Sequence, residues 1–345
     1  MASTRLRHSS DRIPGITRKK AGHGWAYFLP SGDRITDRDE IDRLNAIALP
    51  PAYTNAWFCP WPNGHILATG VDARGRKQYR YHPGFRAQQE ENKYERCADF
   101  GRALPKLRAR VNRDLAGRKL ARDTVIAAVV RLLDIAHIRV GNEAYTKSNK
   151  SFGATTLRNR HVRVKGSRLR LEYVGKSGKK QRLTIEDRRL ARIVRRTQDL
   201  PGQHLFEYLD EDGASHPVTS EDVNDYIREA TGTDFTAKHF RTWGASLLAF
   251  EHILDTASAE KIGLKPMLEA VAAALGNTPA ISRKSYIHPA LIELCRSENA
   301  GDLCTLRLPR STQYLTGRER ALIGFLDEIA TAQHSHANAA HAKAA

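Results

Sequence analysis

His161-Val-Arg-Val-Lys165, Arg168-Leu-Arg-Leu-Glu-Tyr-Val174 and Lys180-Gln-Arg-Leu-Thr-Ile-Glu186 alternate apolar and polar residues at the period of a β-strand. Gly166-Ser167 and Gly175-Lys-Ser-Gly178 lie between them as turns, so the stretch predicts a three-stranded meander. On either side the period becomes helical. Upstream, Lys93 to about Arg113 and Asp123 to Ile138 read as helices, the second with an apolar stripe at Ile126, Val129, Val130 and Leu133. Downstream, helices are expected from Asp187, Ser220, Asp234, Ser258 and Thr278, and the Ala- and His-rich tail from about 331 is expected to be loose.

The first 82 or so residues read differently. Residues 1 to about 20 are polar and basic and suggest a loose arm. Trp25–Leu29 and Arg34–Thr36 flank a Pro-Ser-Gly-Asp turn, which predicts a hairpin. Asp37-x-x-Glu40 resembles a capping box for a short helix through Ala46, closed by Pro50-Pro51. Strands follow at Ala56 to Trp61, His65 to Val71 and Lys77 to His82, with Pro83-Gly84 as a boundary. The expected class is therefore α+β. A small antiparallel β-rich domain (1–85) precedes a larger, mainly α-helical domain (86–345) that carries the meander.

The 345 residues carry 56 Lys+Arg against 38 Asp+Glu, a formal charge of +18. Residues 158–196 hold 15 basic and 3 acidic residues, a net +12 and two-thirds of the total. So concentrated an excess points to a polyanionic partner, most simply nucleic acid. Cys59, Cys97, Cys295 and Cys304 are widely spaced with no C-x-x-C pair, which argues against a zinc site or a disulfide framework and suits a reducing cytoplasm. No apolar run reaches membrane-spanning length, and Met1-Ala-Ser-Thr-Arg-Leu-Arg-His8 lacks a signal-peptide core. A soluble cytoplasmic protein associated with the nucleoid is the expectation.

Four cationic positions, Arg139, Lys176, Lys238 and Arg241, precede one tyrosine in chain order. Arg139 follows the buried helix, with Gly141 as a natural helix terminator. Lys176 lies at the tip of the second meander turn, where an ammonium can donate a proton to a leaving alkoxide. Gly-Lys-Ser-Gly lacks the spacing of a nucleotide-phosphate loop, so ATP binding is not expected. Lys238 and Arg241 are three apart near a helix start, where arginine can grip two phosphate oxygens. Asn277 precedes a helix marked by Thr278 and Pro279, and Tyr286 ends it shortly before Pro289. Each position alone has an ordinary surface or core reading. A tyrosine attacks phosphorus only where its surroundings stabilise the charge that develops.

The order Arg139, Lys176, Lys238-x-x-Arg241, Tyr286 resembles the type IB DNA topoisomerases in their short poxvirus and bacterial form. The segments that carry the resemblance are Ile138–Lys147, Phe152–Leu157, Val174–Lys176, Lys238–Gly244 and Asn277–Tyr286. It implies Tyr286 as nucleophile, a 3′-phosphotyrosyl intermediate, and relaxation of supercoils of either sign by a monomer on double-stranded DNA without metal or nucleotide. It further implies that Arg139 and Arg241 neutralise the non-bridging oxygens, that Lys176 protonates the leaving 5′-oxygen, and that Lys238 supports them. Many members have His where this chain has Asn277, which can donate a hydrogen bond but cannot become a cation. Tyr79, Arg80, Tyr81, Lys147, Arg158 and Lys179 are the expected DNA contacts. Two alternatives stand beside this reading: a tyrosine site-specific recombinase, which usually has His where Lys238 stands, and a non-enzymatic basic architectural protein.

Overall fold

A computed structural model describes residues 5–117, 119–256, 263–297 and 307–344 of the chain. Its contacts divide into two compact units, Met1–Lys93 and Tyr94–Ala345.

In the first unit β1 (Thr17–Ala21) pairs antiparallel with β2 (Gly24–Phe28), and β3 (Thr54–Phe58), β4 (Ile66–Val71) and β5 (Lys77–Tyr81) form an antiparallel sheet in that order. α1 (Arg38–Ala46) lies between them in sequence. Ile16, Tyr27, Leu44, Leu49, Phe58 and Ala68 make its core. The expected partner of β2 was Arg34–Thr36, yet only a single bridge joins Phe28 to Arg34 and the real partner is β1. Described residues of the expected loose arm are held in place. Arg18 lies over the Trp25 ring at 4.0 Å and donates to the carbonyls of Leu49 (2.8 Å) and Pro50 (2.6 Å). Arg7 stacks on Trp61 at 3.4 Å, and Trp57 Nε1 donates to the Ile13 carbonyl at 3.0 Å. Arginine stems and faces pack on aromatic rings, so a basic composition does not imply a loose chain. At α1, Asp37 caps as expected, but Glu40 pairs with Arg43 rather than completing a box.

The second unit is built around α3 (Arg122–Ala136), whose Val125, Ile126, Ala127, Ala128, Val129, Val130, Leu132 and Leu133 are all buried. A helix apolar on nearly every side belongs at the centre of a core. Around it pack α5 (Arg188–Gln198), α6 (Ser220–Thr231) and α7 (Ala237–Thr256). α2 (Pro83–Asp114) begins ten residues earlier than its periodicity suggested, and the two units part within it, after Lys93. The meander appears as β6 (Val162–Lys165), β7 (Arg168–Val174) and β8 (Lys180–Glu186), with Leu169, Leu171 and Tyr173 inward. α4 (Glu143–Asn149) precedes it, and a short hairpin, β9 (Glu207–Leu209) with β10 (Ser215–Pro217), follows α5.

α7 starts at Ala237, so Asp234 does not cap it; the Thr236 amide instead donates to His239 Nδ1 at 3.0 Å. Ser258 and Cys304 lie outside the described residues, and the next described helix is α8 (Leu264–Leu275). α9 (Pro279–Ser285) and α10 (Pro289–Leu294) follow, and α11 (Gly317–Ala344) runs to the end of the described chain. The sequence suggested a loose tail there; alanine, the strongest helix former, sustains the helix instead. Among the described residues, no helix is long and apolar enough to cross a membrane.

Candidate active site

α3 ends at His137, which takes the left-handed conformation (φ 50°) expected of Gly141. The chain then turns into Ile138-Arg139-Val140-Gly141, and a second backbone pins it. The Ala154 amide donates to the Arg139 carbonyl at 2.8 Å, and the Thr155 amide to the Val140 carbonyl at 2.7 Å. Gly153 makes this approach possible: a Cβ there would lie 2.5 Å from the Gly141 nitrogen and 2.6 Å from the Arg139 carbonyl oxygen. One residue earlier, the Phe152 amide bonds the Val174 carbonyl at 2.8 Å, tying the same strap to the end of β7. Arg139 is thus held by the backbone on both sides of a close crossing.

Arg241 projects from α7 and is buried, with 4% of its surface exposed. Its guanidinium donates to the His137 carbonyl at the end of α3 and, at 3.2 Å, to the Leu275 carbonyl at the end of α8. A cation placed at two helix C-termini satisfies carbonyls that the helices leave open and meets the negative ends of both dipoles. Gly244 permits the α3 contact, since a Cβ there would lie 2.4 Å from the His137 ring. Arg241 Nε is buried without a partner, so the fork still has a donor to offer.

Two residues past Leu275, beyond the left-handed Gly276 (φ 63°), stands Asn277. Its Oδ1 accepts from Arg139 Nη2 at 2.7 Å, while its Nδ2 is buried with no hydrogen-bond partner. A buried amide donor without a partner carries a desolvation cost that an acceptor supplied from outside would relieve. Thr278 caps α9 through the Ile281 amide, Pro279 opens it, and Tyr286 ends it in a non-helical conformation (φ −133°, ψ −42°). The Arg241 guanidinium carbon is 4.6 Å from the centroid of the Tyr286 ring. Burial raises the Tyr286 phenol, but the charge of Arg241 and its hydrogen bond to the phenol, then the charges of Arg139 and Lys176, outweigh it and bring the phenol below its ordinary value. The neighbouring Tyr173 goes the other way: burial pushes it up to about 12 against the same two arginines.

This geometry can hold a phosphate through arginine forks and an amide while lowering the proton affinity of a phenol beside it. Residues 82–300 match the family described as the catalytic core of eukaryotic DNA topoisomerase I, and residues 24–72 match the N-terminal domain of bacterial DNA topoisomerase IB. The chain is 34% identical over 295 residues to DNA topoisomerase 1B of Acanthamoeba polyphaga mimivirus, covering 82% of this chain and 88% of that one. The chain belongs to the type IB DNA topoisomerases. It is also 20% identical over 242 residues to DNA topoisomerase 1B of vaccinia virus (strain Copenhagen), covering 69% of this chain and 75% of that protein. A XerH site-specific recombinase bound to its difH substrate in a pre-cleavage complex superposes with a TM-score of 0.37 at 15% identity. That match covers 57% of this chain and 52% of that one, a likeness too slight to bear on function.

In this topoisomerase the residues expected around the tyrosine are not all brought together. Arg139, Arg241, Asn277 and Tyr286 converge. Lys176 is exposed on the hairpin loop, and its charge acts on Tyr286. Lys238 is exposed, and among the described residues it makes no hydrogen bond or ion pair. Of the expected DNA contacts, Lys179 faces the site instead, donating to the Asn277 carbonyl at 2.7 Å. Arg158 pairs with Glu143 at 3.5 Å, and Lys147 is exposed in the last turn of α4. On β5, Tyr79 and Tyr81 are exposed and stacked, 5.9 Å between ring centroids at 13°. Arg80, on the alternate face, is tied to the Ala48 carbonyl at 2.9 Å. Sequence reasoning missed Tyr173 and Gln181 and gave Gly153 no role. The glycine in Phe152-Gly-Ala was the one available signal, since glycine marks close backbone approach.

Proposed function

We propose that this protein relaxes supercoiled duplex DNA by transient single-strand cleavage, with Tyr286 as the nucleophile. The observation that carries the reading is the convergence of Arg139, Arg241 and Asn277 on Tyr286 with buried donors still unpaired at Arg241 Nε and Asn277 Nδ2. The Tyr286 phenol loses its proton to solvent, its Oη attacks the scissile phosphorus, and the bond from phosphorus to the 5′-oxygen breaks. Arg139 and Arg241 neutralise the non-bridging oxygens and Asn277 Nδ2 donates to one of them, where charge grows in the transition state. Lys176 gives a proton to the departing 5′-oxygen, leaving a 5′-hydroxyl and a 3′-phosphotyrosine. The energy of the phosphodiester is kept in that link, so the 5′-hydroxyl reseals the strand by the reverse step without a nucleotide. Between the two steps the free end rotates.

Lys238 strengthens the positive field near the start of α7 rather than touching the reacting atoms. The β-rich unit grips the duplex, with Tyr79 and Tyr81 offering ring faces to it, while Arg80, Lys147 and Arg158 contribute charge. On this reading the protein acts as a monomer on DNA in the cytoplasm, at the nucleoid.

Relaxation of a supercoiled plasmid without added nucleotide tests the reading. Tyr286→Phe is expected to bind DNA as the parent does and to relax none of it. Relaxation at the parental rate by that variant would overturn the assignment.

A further inference from the structure

The loop that carries Lys176 is closed by the Gly175 amide donating to the Lys179 carbonyl at 2.8 Å. Ser177 and Gly178 both take left-handed conformations, φ 64° and 75°, which folds the loop tightly on itself. Lys176 and Lys179 therefore sit on one small rigid loop and differ in what they reach. Lys176 is exposed, whereas the Lys179 ammonium donates to the carbonyl of Asn277, 98 residues away, at 2.7 Å. A second contact lies beside the first. The Gln181 side chain fills the space over Gly276, so that a Cβ on that glycine would be 2.2 Å from Gln181 Oε1. It also lies against Gly175, where a Cβ would be 3.2 Å from Gln181 Cγ.

Asn277 is the meeting point. Its side-chain oxygen holds Arg139, its backbone N–H donates to the Ala272 carbonyl, and its backbone carbonyl holds the hairpin. We infer that Lys179 is a positioning residue that latches the Lys176 hairpin onto the Asn277 turn and so fixes proton delivery relative to the phosphate pocket. Its contribution is made through Lys176 and not through the DNA backbone. A hairpin held only by its own strands swings at the tip, and misplacement by about 1 Å can lower a rate by about 10²-fold. Gln181 supports the latch by filling the gap on which it closes.

The inference rests on Lys176 acting as the general acid, and the test separates the two. Single-turnover cleavage is measured at one mapped site, on a duplex with the natural 5′-oxygen and on one with a bridging 5′-sulfur. A thiolate leaves without a proton. Lys179→Met is expected to slow cleavage of the oxygen substrate by about 10- to 10²-fold and to leave the sulfur substrate at the parental rate. Lys179→Arg should retain most of the rate, and the Lys176→Ala/Lys179→Met pair should be no slower than Lys176→Ala alone. Equal loss on both substrates, or a salt-dependent loss of DNA affinity with unchanged cleavage at saturation, would make Lys179 a DNA contact and overturn the latch. Sulfur rescue of Lys176→Ala but not of Lys179→Met defeats the latch alone. Failure to rescue Lys176→Ala defeats the general-acid reading and the latch with it.

Discussion

Asn277 concentrates much of the site's chemistry in one side chain: one end orients Arg139, and the other is a buried donor awaiting an acceptor. Replacing it by alanine removes both functions, and cleavage is expected to fall by about 10²- to 10³-fold, the usual effect of losing one such donor. Because an amide does not titrate, single-turnover cleavage between pH 5 and 7.5 should show no loss from this position. Asn277→His should add one, since an imidazolium near its ordinary value of about 6.5 donates below that pH and loses its charge above it. Cleavage by the His variant then falls as pH rises through that value, and a flat profile in the variant would show that residue 277 does not touch the phosphate. Tyr286 brings the opposite slope: its phenol lies below the ordinary value, so cleavage should rise as pH rises and the phenol deprotonates.

The elements that present these side chains were legible to different degrees. The meander matched its alternation nearly residue for residue, and Thr278 with Pro279 marked the start of α9, because both signals are local. The cap of α7 was misread: residue type favoured Asp234, whereas His239 reaches back to the Thr236 amide. What joins the elements was not legible, since Arg241 finds its acceptor 104 residues away, and no periodicity encodes such a pairing. The crossing of Gly153 over Gly141 belongs to the same class, and it yields a prediction. Gly153→Ala places a methyl where the Arg139 backbone passes. It is expected to lower stability by about 1–3 kcal/mol in denaturant unfolding and to slow cleavage by about 10²-fold in the fraction that stays folded. Parental cleavage with an unchanged unfolding midpoint would mean that the crossing does not position Arg139.

Across the catalytic unit, the core around α3 is closed by a polar clasp rather than by apolar contact alone. Arg108 on α2 donates to Asp134 on α3 at 2.8 and 2.9 Å, to Glu319 on α11 at 2.8 Å, and to the Tyr314 carbonyl at 2.6 Å. Both carboxylates are buried, at 9% and 3% exposure, so removing one leaves Arg108 paired with the other but with buried donors unfilled. Glu319→Ala should cost about 1–3 kcal/mol in unfolding, and an unchanged unfolding midpoint would show the clasp to be dispensable. The basic excess was readable from composition, and so was a polyanionic partner. Composition does not say what each cation does: Lys179 donates to the Asn277 carbonyl, Arg158 also pairs with Glu143, and Lys176 is exposed on the hairpin loop. Relaxation turns on one covalent bond. Duplex DNA labelled in the cleaved strand on the 5′ side of the break, the part that ends in the 3′-phosphate, should be mixed with the protein, denatured in detergent and digested, and the labelled peptide sequenced. The label is expected on the peptide containing Tyr286, joined through a 3′-phosphate. Label on a peptide containing Tyr173, linkage through a 5′-phosphate, or no covalent label at all would contradict the account.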